Sequence, residues 1–122
     1  MPSVLQRRSY GSVKVFWLDR EKLLSLIREG AERLMKEREE VEEIYLFGSV
    51  AEGRAVPGSD ADLMIILQKS EKRFLDRPLD YLPYFEDLRV PIDIFCYTEE
   101  EATRVPLARK IREKGLLLSK RK

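Results

Sequence analysis

The run Asp60-Ala61-Asp62-Leu63-Met64-Ile65-Ile66-Leu67 constrains this chain more than any other stretch. Two alternating acids open it, and apolar residues follow without interruption. A strand exposed on one face would alternate polar and apolar to its end. An unbroken apolar run is consistent with a central strand buried on both faces of a sheet. Residues two apart on a strand point to the same side, so Asp60 and Asp62 project together at its start.

The rest of the chain supplies elements to surround such a strand. Val13 to Leu18 reads as a first strand. Asp19 is an N-cap for a helix to about Glu39, where Leu23, Leu24, Ile27, Ala31, Leu34 and Met35 form one buried stripe. Gly30 is expected to be tolerated there at modest cost. Val41 to Phe47 is the next strand and ends at a Gly48-Ser49 turn, with a short helical turn and then a loop marked by Gly53, Pro57 and Gly58. Phe74, Leu75, Leu79, Leu82 and Phe85, interrupted by Pro78 and Pro83, predict short amphipathic helices over the sheet. With Tyr81 and Tyr84 the same segment is alternatively a partner surface. Val90 to Tyr97 is a strand, Thr98 and Glu101 form a capping box, and Pro106 opens a last helix that ends at Gly115. The tail Lys120-Arg121-Lys122 reads as a frayed, solvated end.

Composition excludes more than it selects. The 122 residues fit one domain, 1–122, with its motif core at 41–97. A formal charge of +1 argues against a dedicated nucleic-acid surface. No apolar stretch approaches the roughly 20 residues that span a bilayer, so no membrane partner is expected. The first residues lack the apolar core of a signal peptide, and the one cysteine, Cys96, reads as a packed hydrophobe; both point to the cytoplasm. The chain has no histidine. Imidazole general-base catalysis and the usual zinc sites are therefore excluded, and a metal would be held by carboxylates and water, which points to Mg²⁺ or Mn²⁺.

Ten residues separate Ser49 from Asp60, and a third acid, Asp93, sits in the later apolar run Ile92-Asp93-Ile94-Phe95, where a charge is normally costly. If the Asp93 strand pairs alongside with its acid at the same height, three carboxylates converge. Such a cluster repels itself and raises its own pKa values, and two divalent ions about 3.5–4 Å apart would relieve it. Gly48 lets the backbone approach phosphate closely, and Ser49 adds a hydroxyl. Taken together these are the parts of a metal–triphosphate site, with the nucleophile a hydroxyl of a second substrate.

The stretch Leu46-Phe47-Gly48-Ser49-Val50-Ala51-Glu52-Gly53 through Ser59-Asp60-Ala61-Asp62-Leu63 resembles the signature of minimal nucleotidyltransferases of the polymerase-beta superfamily. The resemblance implies an α+β fold, a mixed and mostly antiparallel sheet with helices packed mainly on one face. It implies that Asp60, Asp62 and Asp93 are the catalytic acids and metal ligands, usually of two Mg²⁺ ions. Asp93 would also accept the attacking hydroxyl's proton, and Gly48, Ser49 and Ser59 would hold the nucleotide. Family members transfer a nucleoside monophosphate, commonly AMP from ATP. The residue before the second glycine is often basic in relatives; here it is Glu52, and Arg54 after the glycine reads as a loop cation or, alternatively, as a substitute phosphate contact.

Larger members add a helical domain that binds the acceptor, and after Tyr97 only two short helices and a tail are expected here. The chain resembles the small antitoxins that are encoded beside an all-helical toxin and adenylylate its tyrosine. Two alternatives stay open: a non-catalytic partner-binding scaffold of the same fold, and a transferase acting on a small hydroxylated molecule. Self-association is compatible with the sequence.

Overall fold

Residues 5–10, 13–55, 59–88 and 90–122 are described by the computed structural model, with backbone alone over 5–18. The expected turn residues Pro57 and Gly58 lie outside the described residues. Strands β1 (Leu5–Tyr10) and β2 (Val13–Leu18) pair as an antiparallel hairpin of their own. Helix α1 (Arg20–Glu37), β3 (Val41–Phe47), the single turn α2 (Ser49–Glu52) and β4 (Ala61–Leu67) follow. Two 3-10 segments, Phe74–Asp80 and Leu82–Leu88, precede β5 (Ile92–Thr98). Helices α3 (Glu99–Arg104) and α4 (Pro106–Lys114) then lead to β6 (Leu116–Lys120).

The main sheet has the order β5-β4-β3-β6. β4 and β5 are parallel, whereas β3 is antiparallel to both β4 and β6. This is the α+β, mixed and mostly antiparallel arrangement that the resemblance implies. Helix α1 and the second 3-10 segment cover one face, where Leu23, Ile27 and Leu34 share a core with Ile44, Leu46, Leu63 and Ile65, while Phe74 of the first segment packs on the other face. The short helices α3 and α4 cover part of the other face, where Ala102, Ala108 and Ile111 share a core with Tyr45, Met64 and Ile66. The apolar run of β4 is thus buried on both sides. Each such Leu or Ile side chain contributes about 1.5–3 kcal/mol on burial.

Three local expectations need correction. The Lys120-Arg121-Lys122 tail is not frayed. β6 adds to the free edge of β3, and the Arg121 guanidinium donates to the carbonyls of Met35, Arg38 and Val41 at 2.7, 3.0 and 2.9 Å. It satisfies orphan carbonyls at the end of α1, where a positive charge is also favoured by the helix dipole. Val13–Leu18 is the second strand rather than the first, since Leu5–Tyr10 precedes it and pairs with it. Gly30, third, is more than tolerated. A Cβ there would lie 2.6 Å from the Tyr84 carbonyl oxygen and 2.8 Å from the Phe85 ring, so α1 and the second 3-10 segment touch only because the side chain is absent.

The C-terminal helices are fixed by ion pairs. The Arg112 guanidinium on α4 donates to both Glu43 oxygens on β3, at 3.0 and 2.7 Å, and to Glu99 on α3 at 2.7 and 2.9 Å. Tyr45 Oη adds a 2.7 Å bond to Glu43. Hydrogen bonds from Arg112 hold the buried Glu43 carboxyl below its ordinary pKa, against the opposing effect of burial. On the sheet's outer edge, Arg77 is buried and donates to the Cys96 carbonyl of β5 at 3.0 Å and to Glu101 at 2.6 Å. Glu101 closes the expected capping box, accepting from the Thr98 amide at 2.9 Å while Thr98 Oγ1 accepts from the Glu101 amide. The edge strand is therefore capped at its Cys96 carbonyl.

Gly30→Ala should lower stability by about 1–3 kcal/mol despite alanine's better helix propensity, because the overpacking is against backbone. Ser25→Ala on the exposed side of the same helix should be neutral or stabilising, and urea unfolding compares the two. Because Glu43 has a depressed folded pKa, its contribution is present above its unfolded pKa and is lost as pH falls through the folded value. Glu43→Gln should therefore destabilise the protein at neutral pH, and its difference from wild type should shrink as pH falls below the ordinary carboxylate range, read by unfolding over a pH series.

Candidate active site

Both β4 and β5 begin at the end of the sheet where β3 finishes, and this brings the motif residues together. The Ala61 amide donates to the Pro91 carbonyl at 2.9 Å and fixes the start of the parallel pair. In the ladder that follows, Asp62 lies directly opposite Asp93 and, on its other side, opposite Phe47. Register partners on neighbouring strands share a face. Asp62 and Asp93 thus stand side by side on the face that α3 and α4 leave open at this end. Asp60 precedes the strand by one residue and is exposed.

Asp62 feels both of the other acids. Partial burial raises the Asp62 carboxyl above its ordinary range, and the charges of Asp93 and then Asp60 raise it further. Asp93 itself is exposed, because β5 is the edge strand, so the burial cost expected from its apolar neighbours falls on Asp62 instead. Phe47 and Phe95 lie beside the acids with ring centroids 5.7 Å apart and form an apolar floor.

Gly48 is locked to this cluster. Its φ of +80° and ψ of −158° belong to a region that only glycine occupies without strain. A Cβ at Gly48 would lie 2.5 Å from Asp62 Oδ2. The close approach that requires glycine here is to the Asp62 carboxylate, which the sequence alone had assigned to phosphate. Ser49 opens α2 immediately afterwards, and Val50 anchors that turn in the core. Ser59 is half-buried just ahead of Asp60.

The support of the α2 turn is not visible in the motif. Arg20, at the start of α1, donates to the Val50 and Ala51 carbonyls at 3.0 and 3.2 Å and caps the turn from behind. Its position directly after an N-cap gave no signal of that role. Arg54 is ion-paired to Glu52, in keeping with its reading as a loop cation.

The donor set suits a hard cation. It consists of carboxylates, and the raised Asp62 carboxyl is what a divalent ion would relieve. Among the described residues, no three acidic or thiol groups close into a ready-made metal cage. Mg²⁺ does not require one, since it commonly takes one or two carboxylates and completes its shell with water and substrate phosphate.

Residues 27–121 match the model of the nucleotidyltransferase domain family. Among solved structures, the fold is similar to the crystal structure of a candidate nucleotidyltransferase from Sulfolobus solfataricus. The TM-score is 0.63 with 26% identity, and the match covers 84% of each chain. No curated protein sequence matches the chain.

Gly48→Ala should cost about 1–3 kcal/mol of stability, from the backbone region alone. It should also displace the Asp62 carboxylate, whereas Ser49→Ala should leave the melting temperature near wild type. Thermal unfolding of the two variants checks the contrast.

Proposed function

The chain belongs to the nucleotidyltransferase domain family, and on that premise we propose that it transfers AMP from ATP to a hydroxyl of a partner protein. The observation that carries the reading is the in-register pair Asp62 and Asp93, with Asp60 beside it and Gly48 packed under the Asp62 carboxylate. Asp60, Asp62 and Asp93 would hold Mg²⁺, or Mn²⁺ in its place. When bound, the metal supplies charge neutralisation of the attacking and leaving oxygens in an in-line displacement.

The residues of this chain have defined tasks in that reaction. Gly48 and Ser49 place the outer phosphates, with Ser59 at the near side of the nucleotide. Asp93, the exposed acid on the edge strand, takes the proton of the acceptor hydroxyl as its oxygen bonds to the α-phosphorus. The bond from that phosphorus to the bridging oxygen breaks, and pyrophosphate leaves with the electron pair.

The acceptor in this reading is a tyrosine on an all-helical partner, the toxin of a toxin–antitoxin pair. Its support is an exposed apolar surface on the first 3-10 segment. Leu75 and Leu79 on the first 3-10 segment are 84% and 67% exposed, and that segment is bonded through Arg77 to the Cys96 carbonyl of β5 and to Glu101 of α3. Exposed apolar residues of this kind suit a docked helix. The same surface also favours a second reading, in which the chain neutralises its partner by contact alone.

Incubation with α-phosphate-labelled ATP, Mg²⁺ and the protein encoded next to this chain should label that protein, and Asp60→Ala and Asp62→Ala should abolish the label. No label with either Mg²⁺ or Mn²⁺ would overturn the enzymatic reading. Protection from the partner that survives Asp62→Ala would establish the contact reading.

A further inference from the structure

A cleft of about 230 Å³ is lined by Gly48 and reaches α4, and Asp60, Asp62 and Asp93 are not among its lining residues. Phe47, Ala51, Leu107 and Ile111 give it apolar walls, Gly48 forms its inner edge, and Lys110 and Lys114 of α4 also line it. The two lysines are four residues apart, so they stand one above the other on one helix face. Both are exposed, and neither forms an ion pair with an acid among the described residues.

The strand order gives this cleft its meaning. The sequence across the sheet is β5, β4, β3, β6. Asp93 and Asp62 lie on β5 and β4, the Gly48 turn ends β3, and Gly115, which also lines the cleft, leads into β6. A triphosphate with its α-phosphate over the acids and its outer phosphates over Gly48 therefore runs towards α4.

Its terminal charges need cations, and among the described residues two basic side chains next to the turn, Arg20 and Arg54, are already engaged. Arg54 is paired with Glu52, which itself lines the cleft, and Arg20 is bonded to the Val50 and Ala51 carbonyls. Lys110 and Lys114 remain. A lysine ammonium is a point charge on a flexible stem, suited to phosphate oxygens. The helix that bears them is held in place, since Arg112 bonds it to Glu43 of β3 and Glu99 of α3.

We propose that Lys110 and Lys114 bind the β- and γ-phosphates of the donor triphosphate, and that the α2–α4 cleft is the seat of the departing pyrophosphate. The proposal rests on the nucleotidyltransferase reading above. It assigns these lysines a positioning role supplied by α4, in place of a basic residue in the motif loop, where this chain has Glu52.

The test is titration of the whole chain, with Mg²⁺, by a non-hydrolysable ATP analogue and separately by AMP. The double variant Lys110→Gln/Lys114→Gln should weaken the triphosphate analogue about tenfold or more while AMP stays within about twofold of wild type. Lys110→Arg/Lys114→Arg should recover most of the loss, and Arg109→Gln, an exposed cation elsewhere on α4, should change neither ligand. Melting temperatures without ligand establish that the variants fold; if the double variant does not, each single Lys→Gln variant carries the same comparison. Equal triphosphate binding by wild type and the glutamine variant overturns the lysine assignment and leaves the transferase reading standing. An equal loss in Arg109→Gln also overturns it, as a general field effect. If the wild type binds no triphosphate with Mg²⁺ or Mn²⁺, the transferase reading itself falls and the assignment with it.

Discussion

The parallel pairing of β4 with β5 is the constraint on which the rest of the structure depends. A parallel neighbour must be reached by a crossover, and here the two 3-10 segments provide it. The register between the strands then decides everything at the site. A slip of one residue would turn Asp93 towards the α1 face, under apolar side chains, and bring Ile92 or Ile94 out beside Asp62. The alternating burial of Ile94 and Cys96 forbids that slip, and the bond from the Ala61 amide to Pro91 sets the first rung. The core thus fixes the relative height of two acids that contribute little to it.

Bringing those acids together has an electrostatic cost that the fold offsets elsewhere. Asp62 is half-buried between two other negative charges, with its carboxylate against the Gly48 backbone. Opposing ion pairs are placed away from this point. Glu43 with Arg112 and Glu101 with Arg77 stabilise the helices and the edge strand without approaching the acids to neutralise them. The cluster stays negative, which is the condition under which a divalent cation gains most from binding. Cys96, by contrast, is an inert part of the core: burial pushes its thiol up to about 12.

Much of the fold was legible in the chain because its main elements are locally self-consistent. Asp19 caps α1, the Thr98–Glu101 box caps α3, Pro106 opens α4, and the run after Asp62 is central. The candidate site was legible through spacing, since alternation on a strand turns Asp60 and Asp62 the same way. What stayed hidden depends on long-range pairing. β6 is a short Leu-rich stretch that becomes a strand only because β3 has a vacant edge, and Arg121 looks like a tail residue until α1 presents its carbonyls. Gly30 was read as a defect of the helix because the Tyr84 carbonyl that needs the space is far away in sequence. Asp93 looked buried because its neighbours are apolar, whereas strand order alone puts it at an edge.

The bond from Arg121 to the Met35 carbonyl spans 86 residues, and that to Val41 spans 80. Closing so long a loop has an entropy cost that must be met before the contact returns anything, so such contacts form late in folding. Until residue 121 is in place, the C-terminal end of α1 keeps unsatisfied carbonyls, and β3 keeps an open edge beside the Gly48 turn. A partly synthesised chain can therefore hold the complete acidic motif on a sheet that still lacks its fourth strand. Completion of the sheet in time, rather than the motif itself, sets the moment at which the Gly48 turn acquires a fixed neighbour on both sides.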